Sequence, residues 1–176
     1  GISRTPIREA LRRLSYEGLV TFADNRRMYV TELSIDYFLD VASVRESLEL
    51  LAVRLATLNS DESDIEIMRE KAGLQRAILG ESELDAYKFL DVDREYHEAI
   101  VNSSKNNVLI KYMKENNEAF HRYLYYTEFS HRAMNVVNEH ESIAEAIALR
   151  DSGRAEALMK SHLADVKEAI ILALSK

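Results

Sequence analysis

Proline occurs once in this chain, at Pro6, and only five glycines are spread over its 176 residues. Beyond Pro6 no residue lacks a backbone donor, and little else interrupts regular hydrogen bonding, so the spacing predicts mostly helix. Val41, Val44, Leu48, Leu51, Leu55 and Leu58 keep the three- and four-residue rhythm of a buried helix face. Ser60, with Glu62 and Asp64, starts a second helix that reaches Leu79 and stops at Gly80. Further helices are expected over about 82–104, 106–129, 133–150 and 152 to the end, with Asp151-Ser152-Gly153 as the last turn. Loops this short make successive helices antiparallel neighbours in one bundle. No self-similarity at a period of roughly 20 to 50 residues suggests a solenoid.

The first 33 residues read differently. Up to Glu32 they hold six arginines (4, 8, 12, 13, 26 and 27) against the acids Glu9, Glu17, Asp24 and Glu32, whereas the remainder holds 17 bases and 26 acids. A basic head on an acidic body suits a polyanion at the head alone. Ser3 can cap a helix with Pro6 in its first turn; Ile7, Ala10, Leu11 and Leu14 form its apolar side, and Arg4, Thr5, Arg8 and Arg12 lie toward the other. Gly18 ends it. The β-prone runs 19–22 and 28–31 then flank a basic tip at Asn25, Arg26 and Arg27, forming a hairpin. A helix followed by a basic hairpin is the closing part of a winged helix-turn-helix, which puts the helix N-terminus in the major groove and the wing on the backbone or minor groove. The expected fold is therefore all-α: an antiparallel bundle of about six helices (34–176) behind the recognition helix and β-wing of an incomplete winged helix-turn-helix (1–33).

Inside the bundle, polar groups occupy apolar stripes. Asp93 and His97 share one helical column with Phe89, Leu90, Ile100 and Val101 around them; His140 lies among Val136, Val137, Ile143, Ala144 and Ile147; His162 lies among Leu158, Met159, Val166 and Ala169. Each histidine alone is as well explained by a hydrogen-bonded place in the core. Taken together, three imidazoles and one carboxylate from three helices suit a divalent ion, zinc foremost, with nickel or manganese also fitting. Cysteine is absent, which excludes thiolate sites and disulfides. Arg45 also falls on an inward column, with Val41, Leu48 and Ala52, and there requires an anion. Either Glu49 at i+4 pairs with it, or it clamps a carboxylate ligand whose other oxygens reach the metal. Tyr87, Tyr96, Tyr123, Tyr125 and Tyr126 are candidates for the pocket wall.

The run Ser3-Arg4-Thr5-Pro6-Ile7-Arg8-Glu9-Ala10-Leu11-Arg12-Arg13-Leu14, followed by Glu17-Gly18-Leu19-Val20, resembles the recognition helix of the GntR superfamily of bacterial transcription factors. That resemblance implies DNA contacts from Arg4, Thr5, Arg8 and Arg12, with Asn25 and Arg26 on the wing. It also implies two preceding helices, so the chain reads as N-terminally truncated. The body resembles the FCD ligand-binding domain of the FadR-like branch. The residues that carry this are Val44-Arg45-Glu46 with Glu49, Asp93-x3-His97 with Ile100, Asn106 and Leu109, Glu139-His140-x2-Ile143-x2-Ala146-Ile147, and Ala157-x-Met159-x2-His162. In metal-binding members of that domain the ligands correspond to Asp93, His97, His140 and His162. His121 and His131 have no counterpart and are expected at the surface or in the pocket wall.

The expectation is a ligand-responsive regulator, not an enzyme: a homodimer on a pseudo-palindromic operator, with a small organic acid as effector held at Arg45 and the metal. Because Thr31 to Ser34 join the wing directly to the first bundle helix, ligand binding there is expected to alter operator affinity. The alternative is a metal-dependent, hydrolase-like enzyme built on the same site. His97-Glu98-Ala99-Ile100-Val101 and His140-Glu141-Ser142-Ile143-Ala144 lack the second histidine of the zinc-protease signature, however, and no Glu-x-x-His pair precedes a ligand histidine. A closed structural metal clip is the third reading. The longest apolar run, Ala169 to Leu174, is far too short to span a bilayer, and with no signal-peptide pattern the reading is cytoplasmic, without membrane contact.

Overall fold

The computed structural model describes residues 3–16, 18–23, 27–127 and 133–175, with Arg4 as backbone only. Asn25, Arg26 and His131, and the side chain of Arg4, lie outside the described residues. By its internal contacts the chain divides into two units, Gly1–Ser34 and Ile35–Lys176.

The first unit holds α1 (Arg4–Tyr16), β1 (Val20–Phe22) and β2 (Met28–Val30). Ser3 Oγ accepts from Thr5 N–H at 3.4 Å at the start of α1. Gly18, at φ +70°, makes the left-handed turn after the helix that a side chain would resist. The strands pair antiparallel with Val20 opposite Val30 and Phe22 opposite Met28. Leu11 and Leu14 are half-buried, but Ile7 is 47% exposed and Ala10 is exposed as well, against the expectation that all four lie inward. Within this unit α1 packs mainly on β1, and one short strand cannot cover the whole apolar side of a 13-residue helix.

The second unit is the helical bundle: α2 (Ile35–Asn59), α3 (Glu62–Leu79), α4 (Ala86–Ser103), α5 (Asn107–Tyr126), α6 (Ala133–Ala148) and α7 (Ser152–Leu174). Side-chain oxygens set its helix starts. Asp61 and Asp64 form a reciprocal capping box on α3, in place of the expected Ser60, and Asp85, Asn106 and Asp151 cap α4, α5 and α7. Asp85 also explains why α4 begins later than the expected residue 82. Ser60 serves another element. Arg150, at φ +59° after α6, donates to Ser60 Oγ at 2.8 Å, Ser60 O at 2.6 Å and Thr57 O at 2.9 Å, closing the C-terminal end of α2.

Helix α2 is the centre of the bundle and packs against α4, α5, α6 and α7. Its deepest face is the expected column of Val41, Arg45 and Ala52, and not the line through Val44 and Leu58. Val44 is 51% and Leu58 74% exposed, while Phe38, Val41, Ala42, Arg45, Glu49, Ala52, Val53 and Ala56 are buried. Leu48, Leu51 and Leu55 are partly buried, since the helices packed around α2, and not side-chain size, set its innermost line. Ala52 and Ala56 let α4, α6 and α7 approach closely, and the common core runs through Ile65, Met68, Ile100, Met113, Ile143, Ile147 and Met159.

Candidate functional site

The buried stripe of α4 carries Asp93, Tyr96 and His97 inward; α6 presents His140 and α7 presents His162, the three histidines being 0 to 2% exposed. Ring centroids are 5.2 Å apart for His97 and His140, 5.3 Å for His97 and His162, and 4.8 Å for His140 and His162. One nitrogen from each ring lies within 4.8 Å of the other two. Asp93 stands beside this group rather than within it, its Oδ1 3.7 Å from His140 Nε2.

Each ring is held from behind by an oxygen of another helix. Gln75 Oε1 of α3 lies 2.7 Å from His140 Nδ1, Glu139 Oε2 of α6 lies 2.7 Å from His162 Nδ1, and Glu49 Oε1 of α2 lies 2.9 Å from His97 Nδ1. The last of these is a close ion-pair contact and not one of the hydrogen bonds. With Nδ1 taken in His140 and His162, Nε2 is the nitrogen left for the common centre in those two rings. Gln75 also donates to Asp93 Oδ1 at 3.4 Å, so one amide fixes both a histidine and the carboxylate. Tyr96 stacks on His140 at 3.9 Å and donates its hydroxyl to the His140 carbonyl at 2.7 Å. Burial, then the charges of Glu49 and Asp93, keep that phenol protonated.

Burial, then the nearby His162, His97 and Arg45, drives the pKa of His140 well below the ordinary imidazole value. His162 is also lowered, by burial first, with the Glu139 hydrogen bond opposing. Both rings are therefore neutral near pH 7, the form a metal requires. The His140 Nε2 atom has no hydrogen-bond partner among the described residues. Three imidazoles with an adjacent carboxylate fit a borderline divalent cation, which would supply an open coordination position for an oxygen of a small acid. Tetrahedral ligands at about 2.1 Å lie roughly 3.4 Å apart, so the rings would draw inward around an ion.

A second polar group adjoins this one through Glu49. Arg45, 1% exposed, lays its guanidinium 4.1 Å from the centroid of the Phe120 ring and reaches Glu49 Oε1 with Nη2 at 3.1 Å. Its Nε and Nη1 have no partner among the described residues, so the Glu49 pairing exists and leaves donors over for a ligand. Burial alone would raise the Glu49 carboxyl; His97, then Arg45 and His162, outweigh it and hold the group below the usual value. On α5, His121 and Asn117 are buried one turn apart, and neither nitrogen of His121 nor Oδ1 of Asn117 has a partner among the described residues. Burial, then Arg45, His97 and Arg94, push His121 down to about 2.

His121 is thus buried, and not at the surface. Of the five tyrosines offered for the pocket wall, Tyr96 sits at His97 and His140, and the Tyr125 ring lies 6.3 Å from that of His121. Tyr87 and Tyr126 are each 68% exposed, Tyr123 packs on Phe38, and Tyr125 donates to Asp91. Sequence reading missed Gln75 and Asn117, although each interrupts an apolar stripe: Ile65, Met68, Ala72 and Ile78 on α3, and Leu109, Met113, Phe120 and Leu124 on α5. In the first unit, Thr5, Arg8 and Arg12 are all exposed on α1.

A helix-and-wing unit joined to an all-helical bundle with a buried histidine cluster defines a class of two-part regulators. Residues 40–165 match the FCD domain and residues 1–30 match the bacterial regulatory proteins of the gntR family, and the chain belongs to this FCD-containing family of GntR transcriptional regulators. The Nta operon transcriptional regulator of Aminobacter aminovorans is 30% identical over 162 residues, covering 92% of this chain and 75% of that protein. The HTH-type transcriptional regulator YdhC of Bacillus subtilis is 29% identical over 164 residues, covering 92% and 72%. Among solved structures, Escherichia coli McbR/YncC superposes with a TM-score of 0.83 at 21% identity, covering 98% of this chain and 87% of that one, a likeness of fold. The two sequence relatives are named as regulators of transcription, and the enzyme alternative gives way. No helix among the described residues is long and apolar enough to cross a membrane.

Proposed function

We propose that this transcriptional regulator reads operator DNA through residues 1–33 and senses a small carboxylate through residues 34–176, at a divalent metal held by His97, His140, His162 and Asp93. The observation that carries the metal reading is the arrangement of the three imidazoles, each backed at Nδ1 by an oxygen of a different helix and each with one nitrogen within 4.8 Å of the others. Zinc suits the donor set first, with nickel or manganese as alternatives. Arg45 takes the carboxylate, because its buried Nε and Nη1 lack partners among the described residues while Glu49 occupies Nη2. Arg4, Thr5, Arg8 and Arg12 contact the operator from the recognition helix, with Asn25 and Arg26 on the wing. Family membership and the exposure of Thr5, Arg8 and Arg12 support this assignment. The regulator acts as a homodimer on a pseudo-palindromic site, since a two-fold axis relates two recognition helices to inverted half-sites.

Elemental analysis of the purified protein tests the metal. One divalent ion per chain is expected, lost in the His97→Ala, His162→Ala double variant; unchanged metal content in that variant refutes the site. Gel shifts test the DNA face, where Arg8→Ala or Arg12→Ala should each weaken binding by about 1 to 3 kcal/mol if the arginine reads a base. Wild-type binding by both variants would refute that face.

A further inference from the structure

We propose that Asn117 and His121 of α5, together with Arg45, form a subsite for the hydroxylated chain of the effector, making the ligand a hydroxy acid instead of a plain or dicarboxylic acid. This rests on the carboxylate reading of Arg45 given above.

Three polar side chains at 1 to 4% exposure, from two helices that pack on each other, carry atoms with no partner among the described residues: Arg45 Nε and Nη1, Asn117 Oδ1, and both ring nitrogens of His121. Folded proteins rarely leave such atoms bare, and several on two packed helices mark where another molecule completes the bonding. Two anchors hold the cluster in register. Asn116 donates from Nδ2 to the Val41 carbonyl at 3.3 Å, and the Arg45 guanidinium lies 4.1 Å from the centroid of the Phe120 ring, the residue between Asn117 and His121 in their shared turn.

The chemistry of the orphaned atoms selects the ligand. Arg45 offers charged donors to a carboxylate. His121 is neutral, because burial and the charges of Arg45 and His97 suppress its protonation, so it offers one N–H and one lone pair. Asn117 presents an acceptor. A second carboxylate would meet that acceptor and a neutral ring with a single N–H, and an alkyl tail would leave every one of these atoms bare. A hydroxyl both donates and accepts, and satisfies the amide in either orientation and the imidazole in either tautomer. Sites built to bond a hydroxyl reject the analogue that lacks it, because their buried polar groups are then stranded.

Calorimetry with three six-carbon acids decides the matter: hexanoate, adipate and gluconate, titrated into the purified protein and into the Asn117→Leu, His121→Leu double variant. Gluconate should bind at least roughly tenfold tighter than hexanoate and adipate to the wild type, and the double variant should bind all three alike. Equal binding of the three by the wild type, or preference for adipate, overturns the subsite while leaving the Arg45 reading intact; failure of all three to bind overturns both. Thermal melting of the ligand-free protein gives an independent readout. If the atoms await a ligand, the near-isosteric leucines should hold or raise the melting temperature, and a fall for both single variants would mean the protein itself satisfies them, overturning the proposal.

Discussion

Gln75 Oε1 lies 2.7 Å from His140 Nδ1, across the packed faces of α3 and α6, with both side chains fully buried. The amide decides which imidazole nitrogen carries the proton, and leaves Nε2 unprotonated toward the other two rings. The same amide reaches Asp93 Oδ1.

Replacing Gln75 with Leu should therefore free the His140 ring and lower metal affinity about 10- to 100-fold, read by competition with a chromophoric chelator. Gln75→Glu, which keeps the acceptor, should recover most of it. Unchanged affinity in Gln75→Leu would show that the amide does not position the ligand.

Arg45 and Glu49 form a buried pair at 3.1 Å, and removing one partner strands the other. Arg45→Met is expected to cost about 3 to 5 kcal/mol in urea unfolding, and adding Glu49→Gln should return a large part of that loss. If the single and double variants are equally unstable, the pair is not coupled.

Acid should act on this fold through His121. Its imidazole, pushed down to about 2, takes a proton far less readily when folded than when unfolded. Below about pH 6.5 the unfolded chain thus binds the extra proton and stability falls as pH drops, by at most about 1.4 kcal/mol per unit for this group. Above that pH both states are neutral and the contribution vanishes. Denaturant midpoints at pH 8, 6 and 5 should fall less steeply for His121→Leu than for wild type, and parallel curves would refute the assignment.

Arg150→Ala should destabilise the bundle by roughly 2 to 3 kcal/mol, because the donors to Thr57 O, Ser60 O and Ser60 Oγ disappear together. Arg150→Lys should restore only part of this, since an ammonium does not reproduce the planar fork. Chemical denaturation monitored by circular dichroism measures both.

How much was legible from sequence depended on whether the signal was local. Helix number and order followed from the apolar period and from Asn106 and Asp151 just ahead of α5 and α7, since capping and periodicity act within a few residues. The inward direction of His97, His140 and His162 was legible for the same reason: a residue three or four positions from buried neighbours shares their face. The resemblance in Ser3 to Leu14 named the family. On α2, by contrast, local rhythm pointed both to the line of Leu51 and Leu58 and to the column of Arg45 and Ala52, and the structure buries the second more deeply, because four neighbouring helices decide which side of the helix lies deepest. Gln75 behind His140 and Glu139 behind His162 are contacts across 65 and 23 residues of sequence. The stranded atoms of Arg45, Asn117 and His121 likewise exist only because α2 and α5 pack together. Sequence by itself determined the elements, the family and the types of donor available. Tertiary packing decided which donors are consumed within the protein and which remain for a ligand, because a hydrogen bond is satisfied by proximity in space, and separation along the chain does not set that distance.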